Sequence, residues 1–201
     1  MAEPARQMRS DAVRTRKLLL DAATEAFARH GTEVSVAEIA ESAGIGKGTV
    51  FRHFPAKDDL LAAIVCQNME RMVATGERLL GEGDATAGLY ELMTVAVELQ
   101  VKDRAFCQVV HGALREHADV ARDRKRLEAV TEALTRAAQD QGGIRGDITG
   151  ADVILLMAGI YQTAAPMLDE QPDLWRRYLC LAFQSLQDVT AGPLPHPAPP
   201  W

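Results

Sequence analysis

Apolar residues recur every three or four positions along most of the chain, which is the spacing of amphipathic α-helices. Leu19, Ala23 and Phe27 show this spacing near the start, and a wide apolar stripe runs through residues 57–80. Because no stretch alternates apolar and polar residues with a period of two, we expect no β-sheet. The pattern predicts an all-α fold, whose longer helices cover residues 11–29, 57–80, 87–101, 103–116, 119–140, 151–168 and 173–190.

Residues 35–54 predict two short helices joined by a tight glycine turn. Ser35 followed three residues later by Glu38 is the spacing of a capping box, in which each side chain accepts a hydrogen bond from the other residue's backbone amide. Gly44 is expected to end the first helix, since glycine adopts the left-handed conformation without steric cost. The second helix runs from about Lys47 to Phe54. Two such helices form a helix-turn-helix, which places its second helix in the major groove of DNA.

The outward face of the second short helix carries groups that suit DNA. Val50 and Phe54 are four residues apart and face inward, which leaves Lys47, Thr49, Phe51, Arg52 and His53 on the outside. Lysine and arginine can neutralise phosphates or donate to guanine, and a threonine methyl can contact a thymine methyl. The alternative is an ordinary solvated basic face. The succession of a capped helix, a glycine turn and a basic helix favours DNA contact over that alternative.

The segment GIGKGTVFRHFPAKDDLL and the upstream LLLDAATEAFARHG resemble the TetR family of bacterial transcriptional regulators over roughly the first 65 residues. The resemblance implies an N-terminal three-helix DNA-binding domain containing the helix-turn-helix, followed by a C-terminal helical bundle for ligand binding and dimerisation. A later segment, AAQDQGGIRGDITGADVILLMAGIY, is similar to the C-terminal domain of some TetR-type regulators. The DNA contacts expected from motif and resemblance are Ser35, Val36, Ala37, Gly46, Lys47, Gly48, Thr49, Phe51, Arg52, His53 and Lys57.

Three positions depart from the family pattern. Phe51 stands where members usually have a tyrosine, so it lacks the hydroxyl that bonds a phosphate and would instead contact sugar or a thymine methyl. Ala56 stands where a Ser or Asn cap is common, and alanine caps a helix about 1 kcal/mol less well. Ala37 stands where some members contact a base. Sequence specificity should therefore depend mainly on the second helix of the motif.

The distribution of charge makes an acidic chain compatible with DNA. The 201 residues have a net charge of −6. Residues 1–60 contain equal numbers of acidic and basic side chains, and five basic groups lie in the first 20 residues, so the acidic excess lies beyond residue 60. Basic charge near the motif attracts phosphate, while the acidic remainder discourages non-specific binding. With 47% hydrophobic residues and no apolar run near 18 residues, we expect a cytoplasmic protein without a membrane partner.

These observations predict four segments. Residues 1–10 form a disordered basic arm, and residues 11–57 form the DNA-binding domain. Residues 58–190 form a helical domain for effector binding and dimerisation. Residues 191–201 contain five prolines and form a disordered tail.

Two sets of residues in the second domain are candidates for binding partners. Methionine and aromatic side chains suit a bulky apolar ligand, whereas for any one of these residues taken alone a packed core is the simpler explanation. The candidate ligand residues are Met93, Phe106, Cys107, His111, Leu114, Met157 and Tyr161. The last two predicted helices carry more apolar residues than one small domain needs to bury, which favours a four-helix dimer face over burial within one chain. The candidate dimer residues are Ile154, Ile160, Trp175, Tyr178, Leu179 and Phe183.

No pattern supports catalysis, a cofactor or a metal site. Gly44, Gly46 and Gly48 do not have the spacing of a phosphate-binding loop. Cys107 and His111 are four apart without an evident third ligand, and the three cysteines form no CxxC pair. We therefore expect a homodimeric repressor that binds a palindromic operator and is released by a small, largely hydrophobic effector. The alternatives are a helical-bundle enzyme or small-molecule binder without DNA binding, and a regulator that responds to a protein partner or to redox state.

Overall fold

The computed structural model describes residues 3–30, 33–102 and 113–199. Within these ranges there is no β-strand, and the all-α prediction is confirmed. Short 3-10 turns cover Ala113–Glu116 and Ala165–Met167. The α-helices of the described residues are α1 (Glu3–His30), α2 (Val36–Ser42), α3 (Lys47–His53), α4 (Lys57–Leu80), α5 (Ala85–Lys102), α6 (Ala118–Asp140), α7 (Gly150–Ala164) and α8 (Leu174–Leu186).

The chain forms two compact units. The first comprises the described residues of Met1–Gln67 and Asp103–Val120, and the second those of Asn68–Lys102 and Ala121–Trp201. The boundary lies between Gln67 and Asn68, inside the uninterrupted helix α4, and is later than the predicted boundary between residues 57 and 58. Most of the predicted helix over residues 103–116 lies outside the described residues, which resume at Ala113.

The first unit is built on α1, α2, α3 and the beginning of α4. Its core consists of apolar side chains from all four helices, and the contacts of α2 with both α1 and α3 hold the motif together. The fully or nearly fully buried members are Leu19, Leu20, Ala23, Phe27, Ile39, Ala40, Val50, Phe54 and Leu60. The stripe Leu19, Ala23 and Phe27 identified in the sequence is thus the core face of α1.

The predicted disordered arm over residues 1–10 is wrong, because α1 already begins at Glu3. Alanine, arginine, glutamine and methionine in this stretch are strong helix formers, so the helix continues backwards from its packed part. Pro4 lies in the first turn, where a helix does not require the missing amide.

The second unit packs α5, α7 and α8 against one another and includes α6 and the later part of α4. Leu89, Leu92 and Met93 of α5 and Leu134 of α6 are fully buried. The capping box predicted at Thr149 and Asp152 is present at the start of α7. None of the helices in the described residues is long and apolar enough to cross a membrane.

Close contact between α6 and α7 depends on Gly150. Its amide donates to Glu132 Oε2 at 2.6 Å, and a Cβ atom on Gly150 would lie 2.7 Å from both the Cα and the backbone nitrogen of Glu132. Backbone atoms cannot move aside as the end of a side chain can. The two helices would therefore have to separate to accommodate any larger residue.

Replacing Gly150 by alanine is expected to lower the free energy of unfolding by about 1–3 kcal/mol, the usual cost of overpacking. Urea denaturation followed by circular dichroism measures this effect. Gly146→Ala is the matched control, since a Cβ atom there meets nothing within 4 Å. Equal stability of the Gly150 variant and the wild type would show that α6 and α7 can separate at no cost.

Candidate nucleic-acid interface

The helix-turn-helix is fixed by hydrogen bonds local to α2 and its turn. The predicted capping box is confirmed: Glu38 donates its amide to Ser35 Oγ at 3.3 Å, and Ser35 donates its amide to Glu38 Oε2 at 2.8 Å. Gly44 has a φ of 64°, as predicted for the residue that ends α2. The amides of Gly44 and Ile45 turn back to the carbonyls of Glu41 and Ala40 at 3.0 and 2.9 Å, which is a Schellman motif.

Helix α3 is anchored by its inner face and presents its outer face to solvent. Val50 and Phe54 are buried, so the rotation of α3 about its axis is set by the core. Lys47, Gly48 and Arg52 are exposed, Phe51 is 42% exposed, and Thr49 and His53 are half-buried. The structure therefore brings the residues predicted from α3 together on one accessible face. A helix seven residues long with this face fits the major groove.

Side chains on α3 are ordered by contacts within the helix. Arg52 Nε donates to the Gly48 carbonyl at 3.2 Å, and Arg52 Nη2 donates to Thr49 Oγ1 at 3.0 Å. Lys47 Nζ lies 5.8 Å from the centre of the Phe51 ring, within range of a cation–π contact. Because these contacts already restrict the side chains, α3 would lose less side-chain conformational entropy on binding DNA. They also leave donors of both cations available for phosphate or guanine.

The remaining predicted DNA contacts flank α3 on two sides. Ser35 and Ala37 are exposed at the start of α2, and Val36 beside them is half-buried. Ser35 already accepts the capping hydrogen bond, but a serine hydroxyl can still donate its own proton. Gly46 is exposed and forms the N-cap of α3. Lys57 opens α4, and its ammonium lies 6.0 Å from the centre of the Phe27 ring.

Asp59 is a structural residue of this unit that the sequence interpretation missed. Its Oδ2 accepts the Ala56 amide at 2.8 Å, which is the contribution of the acidic residue to a capping box. Its Oδ1 lies 3.4 Å from His117 Nε2. The signal was available, because Asp59 follows Ala56 at the same three-residue spacing as Glu38 follows Ser35. Asp59 thus supplies one half of a capping box, whereas the alanine side chain at position 56 offers no acceptor to the amides of the first turn of α4.

The predicted ligand residues fall into three groups. Met93, Met157 and Tyr161 are buried in the second unit, on the packed helices α5 and α7. Leu114 is buried in the first unit. Phe106, Cys107 and His111 lie outside the described residues. Among the described residues, no three His, Cys, Asp or Glu side chains come together as a metal site.

Most of the predicted dimer residues are already buried in their own chain. Trp175, Leu179 and Phe183 form the inner face of α8, so predicting them as contact residues was wrong. Ile160 is buried at the wall of a surface groove between α7 and α8, Ile154 is half-buried, and Tyr178 lines the groove while remaining accessible. The exposed apolar residues of these helices are Leu155, Tyr178 and Leu181. The prediction failed because α8 is apolar on two faces, and only one of these faces packs against the core of the second unit.

Comparisons with known proteins agree with this geometry. Residues 19–64 match the family model for bacterial regulatory proteins of the TetR family, and residues 84–188 match a model for the C-terminal domain of SbtR-like transcriptional regulators. The regulator UidR of Escherichia coli is 28% identical over 72% of this chain and 76% of its own length. A Staphylococcus aureus HTH-type regulator is 29% identical over 45% of this chain, which spans about half (48%) of that regulator's length.

Solved structures show the same fold. A TetR regulator from Mycobacterium vanbaalenii superposes with a TM-score of 0.67 at 26% identity, over 90% of this chain and 99% of that one. FadR from Bacillus subtilis, solved with stearoyl-CoA, superposes with a TM-score of 0.69 at 20% identity, over 86% and 98%. The two family models match residues in both units, and the relatives are named as transcriptional regulators. The chain belongs to the TetR family of bacterial transcriptional regulators, and is a DNA-binding regulator with a helix-turn-helix in its first unit.

Proposed function

We propose that the protein is a homodimeric repressor that binds a palindromic operator and is released by a small, largely hydrophobic effector. The observation that carries this proposal is the outer face of α3, where two cations, a threonine and an exposed aromatic ring stand around a glycine. Lys47 and Arg52 would contact guanine or phosphate, and Phe51 a thymine methyl. Gly48 would let the DNA backbone approach α3 closely. A cytoplasmic location follows from this role on the chromosome.

Binding of two half-sites supplies the affinity that one short helix cannot. A dimer places two copies of α3, which we call the reading helices, about 34–36 Å apart, which is one turn of duplex. It therefore prefers a symmetric operator. With α3 in one half-site, Ser35, Val36 and Ala37 at the start of α2 and Lys57 at the start of α4 would contact the flanking phosphates. A helix N-terminus such as that of α2 or α4 also attracts phosphate through its amides.

The proposed dimer surface is the groove between α7 and α8, with a volume of about 840 Å³. Leu155 is 55% exposed, Leu181 49% and Tyr178 37%, and all three line this groove. Exposed apolar residues that lie together along one groove, rather than singly over the surface, are typical of sites that bind another protein. A second copy related by a two-fold axis would cover the same residues on both chains and form a four-helix interface.

The proposed effector site lies between α5 and α7, beside Met93, Met157 and Tyr161. Two flexible methionines and a tyrosine, which adds one polar group to an otherwise apolar set, suit a long apolar molecule with a polar end. FadR of Bacillus subtilis binds stearoyl-CoA in a similar fold, which makes acyl chains the first class to test. Helix α4 continues from the first unit into the second, so a shift of α4 can alter the spacing of the two reading helices. Couplings of about 1–3 kcal/mol are usual in such systems.

The decisive test is selection of bound sequences from a random duplex library by the purified protein, repeated at several salt concentrations. Recovery of a palindromic sequence and a steep fall of affinity with salt would support a dimer that binds DNA through two helix-turn-helix motifs. The selected duplex then serves as the probe for release by stearoyl-CoA. Binding without sequence preference would reject the proposed operator, and failure of release would reject only this class of effector.

Replacing Phe51 by tyrosine is expected to strengthen operator binding about two- to tenfold, since a new phosphate hydrogen bond contributes about 0.5–1.5 kcal/mol. Because a phosphate contact carries no sequence information, the gain should extend to unrelated duplexes. Fluorescence anisotropy with the operator and a scrambled duplex measures both. A lower affinity would show that the ring occupies an apolar site, such as a thymine methyl, where a hydroxyl is not tolerated.

A further inference from the structure

The proline-rich segment, defined here as residues 191–199, is attached to the second unit by two side chains. Arg145 Nη2 donates to the Gly192 carbonyl at 2.8 Å, and the Leu194 amide donates to Asp147 Oδ2 at 2.7 Å. The prediction that this segment is disordered is therefore wrong for its first part. Its backbone has no helix or strand, but it lies at a defined place on the loop between α6 and α7.

Arg145 and Asp147 form an ion pair with each other in addition to their hydrogen bonds to the proline-rich segment. Arg145 Nη2 donates to Asp147 Oδ2 at 2.9 Å, and Arg145 Nε donates to Oδ1 at 2.5 Å. The Arg145 guanidinium and the Leu194 amide hold the pKa of the Asp147 carboxyl well below its usual range. The Arg145 amide donates to the Leu186 carbonyl at 2.8 Å, which ties this pair to the end of α8. We call Arg145 and Asp147 the clamp.

The clamp places Leu194 at the groove that we propose for dimerisation. Leu194 lines this groove together with Arg145, Ile148 and Leu155, yet half of its surface remains exposed. Prolines at 193, 195, 197 and 199 each fix φ and remove an amide donor, so this stretch favours a stiff, extended conformation. A stiff segment that carries one exposed leucine prolongs the apolar surface of α7 and α8.

We propose that the proline-rich segment is part of the subunit interface, with a second copy of this chain covering Leu194 when its α7 and α8 dock on the groove. This inference rests on the proposed dimer. A second copy is the occupant because Leu194 is continuous with Leu155 and the other exposed residues of that face. Under two-fold symmetry both segments would bracket the four-helix interface from opposite ends. The clamp acts as a positioning device, since it fixes the segment before the partner arrives.

The experiment compares the dimer dissociation constants of full-length variants by sedimentation velocity over a dilution series. Leu194→Ser is expected to raise the dissociation constant about tenfold or more. Val189→Ser is the matched control, because Val189 is 54% exposed and Leu194 50%, but Val189 does not line the groove. Asp147→Asn should raise the constant less, since it loosens the clamp and keeps Leu194. Circular dichroism melting of each variant shows whether the fold is retained.

The outcomes separate this inference from the proposed dimer. A dimeric wild type whose dissociation constant changes with Leu194→Ser but not with Val189→Ser supports the inference. A dimeric wild type with equal constants for the wild type and Leu194→Ser overturns the inference and leaves the dimer intact. A wild type that is monomeric at all concentrations overturns both.

Discussion

Replacing Gly48 by glutamate is expected to lower operator affinity at least about 100-fold while the fold stays intact. Gly48 lies on the exposed face of α3, and a Cβ atom there meets nothing within 4 Å, so the folded chain has room for the side chain. In the complex the carboxylate would be placed against the phosphates or base edges that we propose as contacts of Lys47 and Arg52. Like charges brought together at an interface cost several kcal/mol, and about 1.4 kcal/mol corresponds to tenfold in affinity.

The control is Ala74→Glu, which makes the same change in net charge at an exposed position of α4 in the second unit. Anisotropy titration with the selected operator measures affinity, and circular dichroism melting shows that each variant is folded. Ala74→Glu should bind the operator within about twofold of the wild type, because exposed charges beyond about 10 Å are largely screened at 0.1 M salt. Equal affinity of the Gly48 variant and the wild type would place the DNA on another surface and reject α3 as the reading helix.

The parts of the fold that the sequence predicted correctly are those fixed by neighbours along the chain. Ser35 with Glu38 and Thr149 with Asp152 are reciprocal caps whose partners are three residues apart, so their spacing alone identifies them. Gly44 ends α2 because its own φ is positive. The face of α3 followed from the same logic, since Val50 and Phe54 at helical spacing leave only one side for DNA. Local chemistry was enough to predict which side of α3 is accessible, and the contact of that side with DNA stays a prediction.

The accessible apolar face of α8, which we propose as the dimer surface, could not be predicted in the same way, because α8 has two apolar faces. Trp175, Leu179 and Phe183 form one stripe, and Tyr178 and Leu181 form another. Periodicity shows that two stripes exist, but which one faces the chain's own core depends on where α5 and α7 lie. The sequence predicts that Trp175 and Phe183 contact a second subunit, whereas both fill the core of their own chain. The exposed stripe is the less bulky one.

The attachment of the proline-rich segment was unpredictable for a related reason. Its composition indicates disorder, since prolines supply no amides for a helix or a sheet. The structure instead holds it through Arg145 and Asp147, which lie more than forty residues earlier in the chain. Hydrogen bonds between residues so far apart produce no periodic pattern in the sequence, so the pattern of residues could not predict them. In contrast, α1 extends to Glu3 simply because helix formers precede its core, and propensity could have indicated this.

Replacing Leu181 by glutamate is expected to convert the protein to a monomer at micromolar concentration and, as a consequence, to lower affinity for the palindromic operator about 100-fold or more. Leu181 lines the groove between α7 and α8 and is about half exposed in the single chain, so the monomer tolerates a carboxylate there. In the proposed dimer a second copy would cover the same position, and because of the two-fold axis the interface would contain two copies of the substitution. Burying an unpaired charge on each side costs several kcal/mol.

Sedimentation velocity gives the oligomeric state, and anisotropy compares the full palindrome with a single half-site. The variant should lose its preference for the palindrome but keep weak half-site binding, because α3 is untouched by the change. Leu80→Glu is the control, an exposed leucine of α4 that does not line the groove. A Leu181 variant that remains dimeric and binds the palindrome like the wild type would exclude this groove as the subunit interface. A variant that becomes monomeric yet keeps full operator affinity would instead show that dimerisation is not what brings two reading helices to DNA.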